Sequence, residues 1–189
     1  MKGMDALSIA NAEFERRLRL VAADEWERPT PCDEWDIRAL VNHVIGANHR
    51  YTMLLHGASA EAVNATRSVD HLGNDPVDSF VSSAAELTAA FGENRALARI
   101  VHHPSGDRSG ADLVGMRVLD AAVHGWDLAR AIGADETLEP NVVEFVLALS
   151  PEFERSRQQG VFSAPVGDAS PDASPQASLL RLLGRRPQP

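Results

Sequence analysis

Along most of the chain the apolar residues recur at steps of three and four, the period of a helix with one buried face. Over residues 5–23 the stripe is Leu7, Ala10, Phe14, Leu18 and Val21, with Asp5 placed to cap the start. Pro29 and Pro31 break that pattern. Asp36 then caps a second predicted helix, which runs to about Gly57 through Leu40, Val41, Val44, Tyr51 and Leu55. Ala58 to Asn74 is polar and reads as a long connection. Asp75 and Pro76 open a third helix with the stripe Val77, Phe80, Ala84, Leu87 and Phe91, and His102-His103-Pro104-Ser105-Gly106 closes that region. The strongest pattern begins near Ser109. It passes through Leu113, Met116, Leu119, Val123, Trp126 and Ala129 to Ile132, where Gly133 supplies a left-handed stop. A shorter fifth helix fits Pro140 to Leu149.

Beyond Gly160 the character changes. Ser163-Ala164-Pro165 and then Gly167 to Gln176, rich in Ser, Pro, Asp and Ala, read as irregular chain, and only Leu179 to Leu183 offers an amphipathic turn able to dock on the body. Four long capped periods, without an alternating strand pattern, predict an all-α antiparallel four-helix bundle. It carries an extra short helix and an irregular C-terminal tail, and divides as residues 1–160 for the bundle and 161–189 for the tail packed on it.

The chain has 189 residues, of which 44% are hydrophobic, enough for a sizeable core. With 27 Asp+Glu against 18 Lys+Arg it carries a formal charge of −9, and no basic run exceeds the pairs Arg16-Arg17 and Arg185-Arg186. That balance argues against a nucleic-acid partner, whose affinity rests on phosphate neutralisation. The lone Cys32 cannot form an internal disulfide, and no segment has the roughly 18 consecutive apolar residues of a membrane span. The expectation is a soluble, cytoplasmic chain with no membrane partner.

Asp120 and His124 stand at i and i+4 on the fourth helix, so their side chains share one face. His43 lies on or beside the apolar face of the second. Two imidazoles and one carboxylate suit zinc, nickel or ferrous iron, and three protein ligands leave a position open for exchange. Spacing alone equally allows a plain ion pair between Asp120 and His124 and a hydrogen-bonded core role for His43. Asp127 is placed to hydrogen-bond a ligating histidine, and Arg130 to pair with Asp127 or with a substrate carboxylate, or else to serve as a helix-end cation. Trp126 reads as core. Cys32, with no base near it in sequence, reads as a small buried residue and stays off the catalytic list. His49, His56 and His71 read as surface residues, and His102-His103 as a loop pair.

Three blocks carry a family resemblance. The run from Thr30 to Val44, containing Thr30-Pro31-Cys32-Asp33-Glu34-Trp35 and Asn42-His43-Val44, resembles the start of the second helix in the mycothiol-dependent maleylpyruvate isomerase N-terminal family, part of the DinB-like superfamily. Asp120-Ala121-Ala122-Val123-His124-Gly125-Trp126-Asp127-Leu128-Ala129-Arg130 resembles its second motif. Gly160-Val161-Phe162 and Ala177 to Pro187 are similar to the tail of one actinobacterial branch. The resemblance implies a DinB-like bundle holding a divalent metal, zinc foremost with nickel or iron as alternatives, on His43 and His124. The third ligand, commonly Glu in relatives, is here Asp120, one methylene shorter and so with less reach, leaving open a water-mediated contact. Because the family's full-length isomerase carries an additional C-terminal domain, the isomerase reaction itself is not carried over.

Mycothiol is the co-substrate the resemblance implies, and a metal that acidifies a coordinated thiol gives that role a physical basis. The leading expectation is a metal- and thiol-dependent transferase or isomerase acting on a small electrophile. The alternative is a non-enzymatic metal- or ligand-binding module of a sensor or stress response. A homodimer is compatible with either.

Overall fold

The computed structural model describes residues 1–32, 35–149, 165–166 and 173–187. Helix α1 spans Gly3–Leu18, α2 Ile37–Leu55, α3 Ala60–Asn64, α4 Pro76–Gly92, α5 Gly110–Ile132, α6 Pro140–Ala148 and α7 Pro175–Leu182. Helices α1, α2, α4 and α5 form the bundle. α1 packs along α5, α2 lies against both α4 and α5, and α1 touches α4. The architecture is an all-α bundle.

Local chemistry accounts for the helix ends. The Asp36 carboxylate accepts from the Ala39 amide at 2.7 Å, fixing the start of α2 seven residues before His43. Asp75 caps α4, with Pro76 at its first position. On α5, Ser109 and Asp112 exchange bonds as a capping box, and Gly133 ends the helix at φ 68°.

Three local expectations change. α1 begins before Asp5, after an uncapped Lys2, because Ala6 and Leu7 are already buried, and it ends at Leu18. Past that residue the chain turns, leaving Leu20 54% exposed while Val21 reaches the core from the turn. Within the expected connection from Ala58 to Asn74, Ser59 caps the short helix α3, which buries Val63. A two-residue hairpin, Ile100–Val101 (β1) against Arg108–Ser109 (β2), is too short for any alternation and presents the loop that carries His103.

Two apolar clusters fill the interior, and one of them runs from the bundle into the tail. Phe14 and Phe80 meet at 4.8 Å between ring centroids in one part, and Trp126 is fully buried in another. Leu179, Leu180 and Leu183 are each 0% exposed, and α7 packs on α6. The segment expected to be irregular is therefore partly helical. The 160/161 boundary and residues 167–172 lie outside the described residues.

Candidate metal centre

Two helices bring the predicted ligands together. His43 comes from the second turn of α2, and Asp120 and His124 from successive turns of α5. The Oδ1 atom of Asp120 lies 3.2 Å from Nε2 of His43 and 3.3 Å from Nε2 of His124. The shorter carboxylate thus reaches both imidazoles. Its other oxygen accepts from Arg117, a fully buried arginine, which leaves Oδ1 as the atom facing the histidines. Trp35 covers the pair, its ring 4.6 Å from that of His43 and 5.6 Å from that of His124.

The opposite edge of His124 meets a second cluster. Its Nδ1 lies 3.1 Å from Oδ2 of Asp127, and Cys32 Sγ lies 3.5 Å from that same oxygen and 3.9 Å from Nδ1. Arg185, just beyond α7, reaches Asp127 through Nε at 3.1 Å and Nη2 at 2.6 Å, and Nη2 is 2.9 Å from Cys32 Sγ. Cys32 is held there by its own loop, where its amide donates to Thr30 Oγ1 at 3.2 Å and the Trp35 amide donates to the Cys32 carbonyl at 2.8 Å.

Electrostatics separate the two clusters. Burial acts to raise the Asp120 carboxyl, but His43, His124 and Arg117 hold it well below its ordinary value. Burial pushes His43 down, against the pull of Asp120, and a neutral imidazole is the form that ligates. Burial also works against charge on His124, yet its bonds to Asp120 and Asp127 hold its pKa well above the ordinary value. The site favours positive charge between His124 and Asp120.

His43, Asp120 and His124 form one group able to hold a metal ion, and Cys32, His124 and Asp127 form another. In the second, a guanidinium already sits on both the carboxylate and the sulfur, so a further cation there is opposed. In the first, two imidazole nitrogens face Oδ1 of Asp120, while Arg117 occupies only the other oxygen. The donor set therefore fits a divalent ion at the first group. Asp127 orients the His124 ring from behind, the arrangement in which a carboxylate supports a histidine that binds a metal.

Comparison with known proteins follows the same lines. The family of the mycothiol maleylpyruvate isomerase N-terminal domain matches residues 7–129. The chain belongs to this family. An uncharacterized protein of Mycobacterium tuberculosis strain H37Rv, and its counterpart in strain CDC 1551, are each 28% identical over 179 residues, covering 93% of both chains. The crystal structure of the mycothiol-dependent maleylpyruvate isomerase superposes with a TM-score of 0.66 at 20% identity, covering 86% of this chain and 72% of that one. A mutant of that isomerase gives 0.67 over the same shares. At that identity the likeness is one of fold.

Other residues of this isomerase-family chain fall outside the centre. Arg130 does not meet Asp127. It pairs with Glu136 at 2.6 and 2.7 Å and stacks over Trp126, 4.6 Å from the ring centroid. The partner of Asp127 is Arg185, which sequence reasoning missed, as it missed the place of Cys32. The one signal for Arg185 was its position directly after a leucine-rich turn fit to dock. His49 and His56 face Glu86 and Glu93 near the surface, whereas His71 is half-buried, with its amide donating to Asn42 Oδ1 at 2.6 Å. His102 pairs with Asp107 at 2.9 Å, while His103 lines a cavity beside Asp120. No helix among the described residues is long and apolar enough to cross a membrane.

Proposed function

We propose that the chain is a divalent-metal-binding enzyme that uses a low-molecular-weight thiol of the mycothiol type to transfer to, or isomerise, a small electrophile. The observation that carries this reading is the convergence of His43 Nε2 and His124 Nε2 on one oxygen of Asp120, 3.2 and 3.3 Å away. Membership of the isomerase N-terminal family supports the thiol. Zinc is the ion best matched to two imidazoles and a carboxylate. An ion held there supplies Lewis acidity, which favours the deprotonated form of a thiol at neutral pH.

The chain's own residues prepare that chemistry. Asp127, fully buried, fixes the His124 ring by its bond to Nδ1, so that Nε2 points toward Asp120. Arg185 neutralises Asp127, and Arg117 neutralises Asp120 while occupying one of its oxygens. The Trp35 ring keeps water from one side of the two imidazoles. A cavity of about 580 Å³ is lined by His43 and Asp120, and its volume suits a small-molecule ligand.

The test is turnover. Zinc-loaded protein, mixed with mycothiol and a panel of small electrophiles including maleylpyruvate, is expected to consume an electrophile only when both thiol and metal are present, and His43→Ala is expected to abolish it. Turnover that persists after chelation, or in His43→Ala, would contradict the proposal.

A further inference from the structure

The hairpin loop brings one more titratable side chain to the cavity beside the metal centre. His103 is half-buried and lines the same cavity as His43 and Asp120. Its Nδ1 accepts the Ser105 amide at 3.1 Å and lies 2.8 Å from Ser105 Oγ. A backbone N–H can only donate, so Nδ1 is unprotonated and the proton of the neutral ring sits on Nε2. Burial, with the cations of Arg108 and Arg67 close by, pushes the pKa of this ring down to about 4, which keeps it neutral at neutral pH. Among the described residues Nε2 makes no hydrogen bond. A half-buried N–H of fixed tautomer on a cavity wall calls for an acceptor from the contents of the cavity.

The loop and α2 fix the ring before anything binds. The Gly106 amide donates to the His103 carbonyl at 2.8 Å, in a turn where Gly106 takes φ 105°. Arg108 Nη2 donates to the Ser105 carbonyl at 3.2 Å and to Ser105 Oγ at 3.3 Å, and the Tyr51 ring meets the imidazole edge-on, 5.9 Å between centroids. A donor held in place in this way needs no reorganisation when charge develops beside it.

We infer that His103 is a catalytic residue, its Nε2–H donating to the oxygen of the electrophile on which negative charge develops as the thiol adds. The inference rests on the proposed thiol-dependent reaction and supplies a donor for it. In such an addition a C–S bond forms, and the π pair of a carbonyl, or of an alkene conjugated to it, moves toward the carbonyl oxygen. Expulsion of the same thiolate reverses both changes, so no oxidant or reductant is consumed. The proton stays on Nε2, because a neutral imidazole polarises an oxygen by hydrogen bonding without giving up its proton.

Two measurements test this, and the first needs no substrate. Long-range proton–nitrogen NMR of isotope-labelled protein, with His103 assigned through His103→Gln, is expected to show the neutral, Nε2-protonated ring at neutral pH. The Nδ1-protonated tautomer, or an imidazolium, would overturn the inference, and this result decides even where a bulkier variant does not fold. The second is difference infrared spectroscopy with cyclohexenone, labelled at its carbonyl carbon, as the probe. In zinc-loaded and in chelated protein alike, a bound carbonyl band displaced from that of the free probe is expected. The displacement should be lost in His103→Phe, which has a ring to face Tyr51 but no N–H, and kept in part in His103→Gln, which retains one. His102→Gln, whose target pairs with Asp107 outside the cavity, should behave as the wild type. No displaced band in the wild type, or the same band in His103→Phe, would overturn the inference. With any electrophile that is turned over, His103→Phe should lower kcat about 100-fold with far less change in KM, and an unchanged kcat would count equally against it. Thiol- and metal-dependent turnover without a His103-dependent band overturns the role of His103 alone. A His103-dependent band in protein that turns over no electrophile supports His103 as the donor and overturns the thiol-dependent reading.

Discussion

Arg185 grips Asp127 at two points, Nε to Oδ1 at 3.1 Å and Nη2 to Oδ2 at 2.6 Å, across 58 residues of sequence. The pair is nearly desolvated, with side chains 10% and 0% exposed. It ties the residues beyond α7 to the carboxylate that holds His124.

That linkage predicts a coupled loss. Asp127→Asn weakens acceptance from His124 and leaves the Arg185 cation without its partner, so metal affinity should fall about 10–100-fold. Arg185→Gln should weaken it less. The double variant should cost less than the two single losses combined, because the unpaired cation is then removed as well. Competition with a chelator of known affinity measures all three. Arg130→Gln, whose target is paired with Glu136, should leave metal affinity unchanged.

A packing prediction concerns the bundle. Phe14 on α1 is 0% exposed and meets Phe80 of α4 at 4.8 Å between ring centroids. Phe14→Ala should destabilise the fold by about 3–5 kcal/mol, through lost burial and the void left behind. Denaturant titration reads the shift of the midpoint.

A pH prediction concerns His103. Burial pushes its pKa from 6.5 down to about 4, helped by Arg108 and Arg67. Between those values the unfolded chain binds the extra proton, so the folded state loses stability as the pH falls from about 6.5 toward 4 and gains it as the pH rises. His103→Gln removes that contribution. The difference in melting temperature between wild type and variant, followed over this range, should move against the wild type on acidification and stay constant above neutrality.

Much of the bundle is legible in the chain. The stripe from Leu113 to Ala129, the caps at Asp36, Asp75 and Ser109, and the stop at Gly133 are local signals, and each governs the element it belongs to. The extent of α1 is less legible, because Asp5 has capping chemistry but the buried Ala6 and Leu7 decide where the helix begins. On α5 the i,i+4 spacing puts Asp120 and His124 on one face. What spacing does not encode is the environment around them. Cys32 meets His124 across 92 residues of sequence, held by the backbone bonds of Thr30 to Trp35 and of Trp35 to Cys32. Arg130 has the same local promise as Arg185, and the loop after Gly133 decides between them by presenting Glu136 to the first.

The central claim is that His43, Asp120 and His124 hold the metal, with Cys32 and Asp127 behind them. Elemental mass spectrometry on protein purified without a histidine tag or added metal, for the wild type, His43→Ala and Cys32→Ala, tests it most directly. A near-stoichiometric divalent ion is expected in the wild type and in Cys32→Ala, and its loss in His43→Ala. Full occupancy in His43→Ala, or loss confined to Cys32→Ala, would contradict the claim and move the metal to the sulfur side of His124.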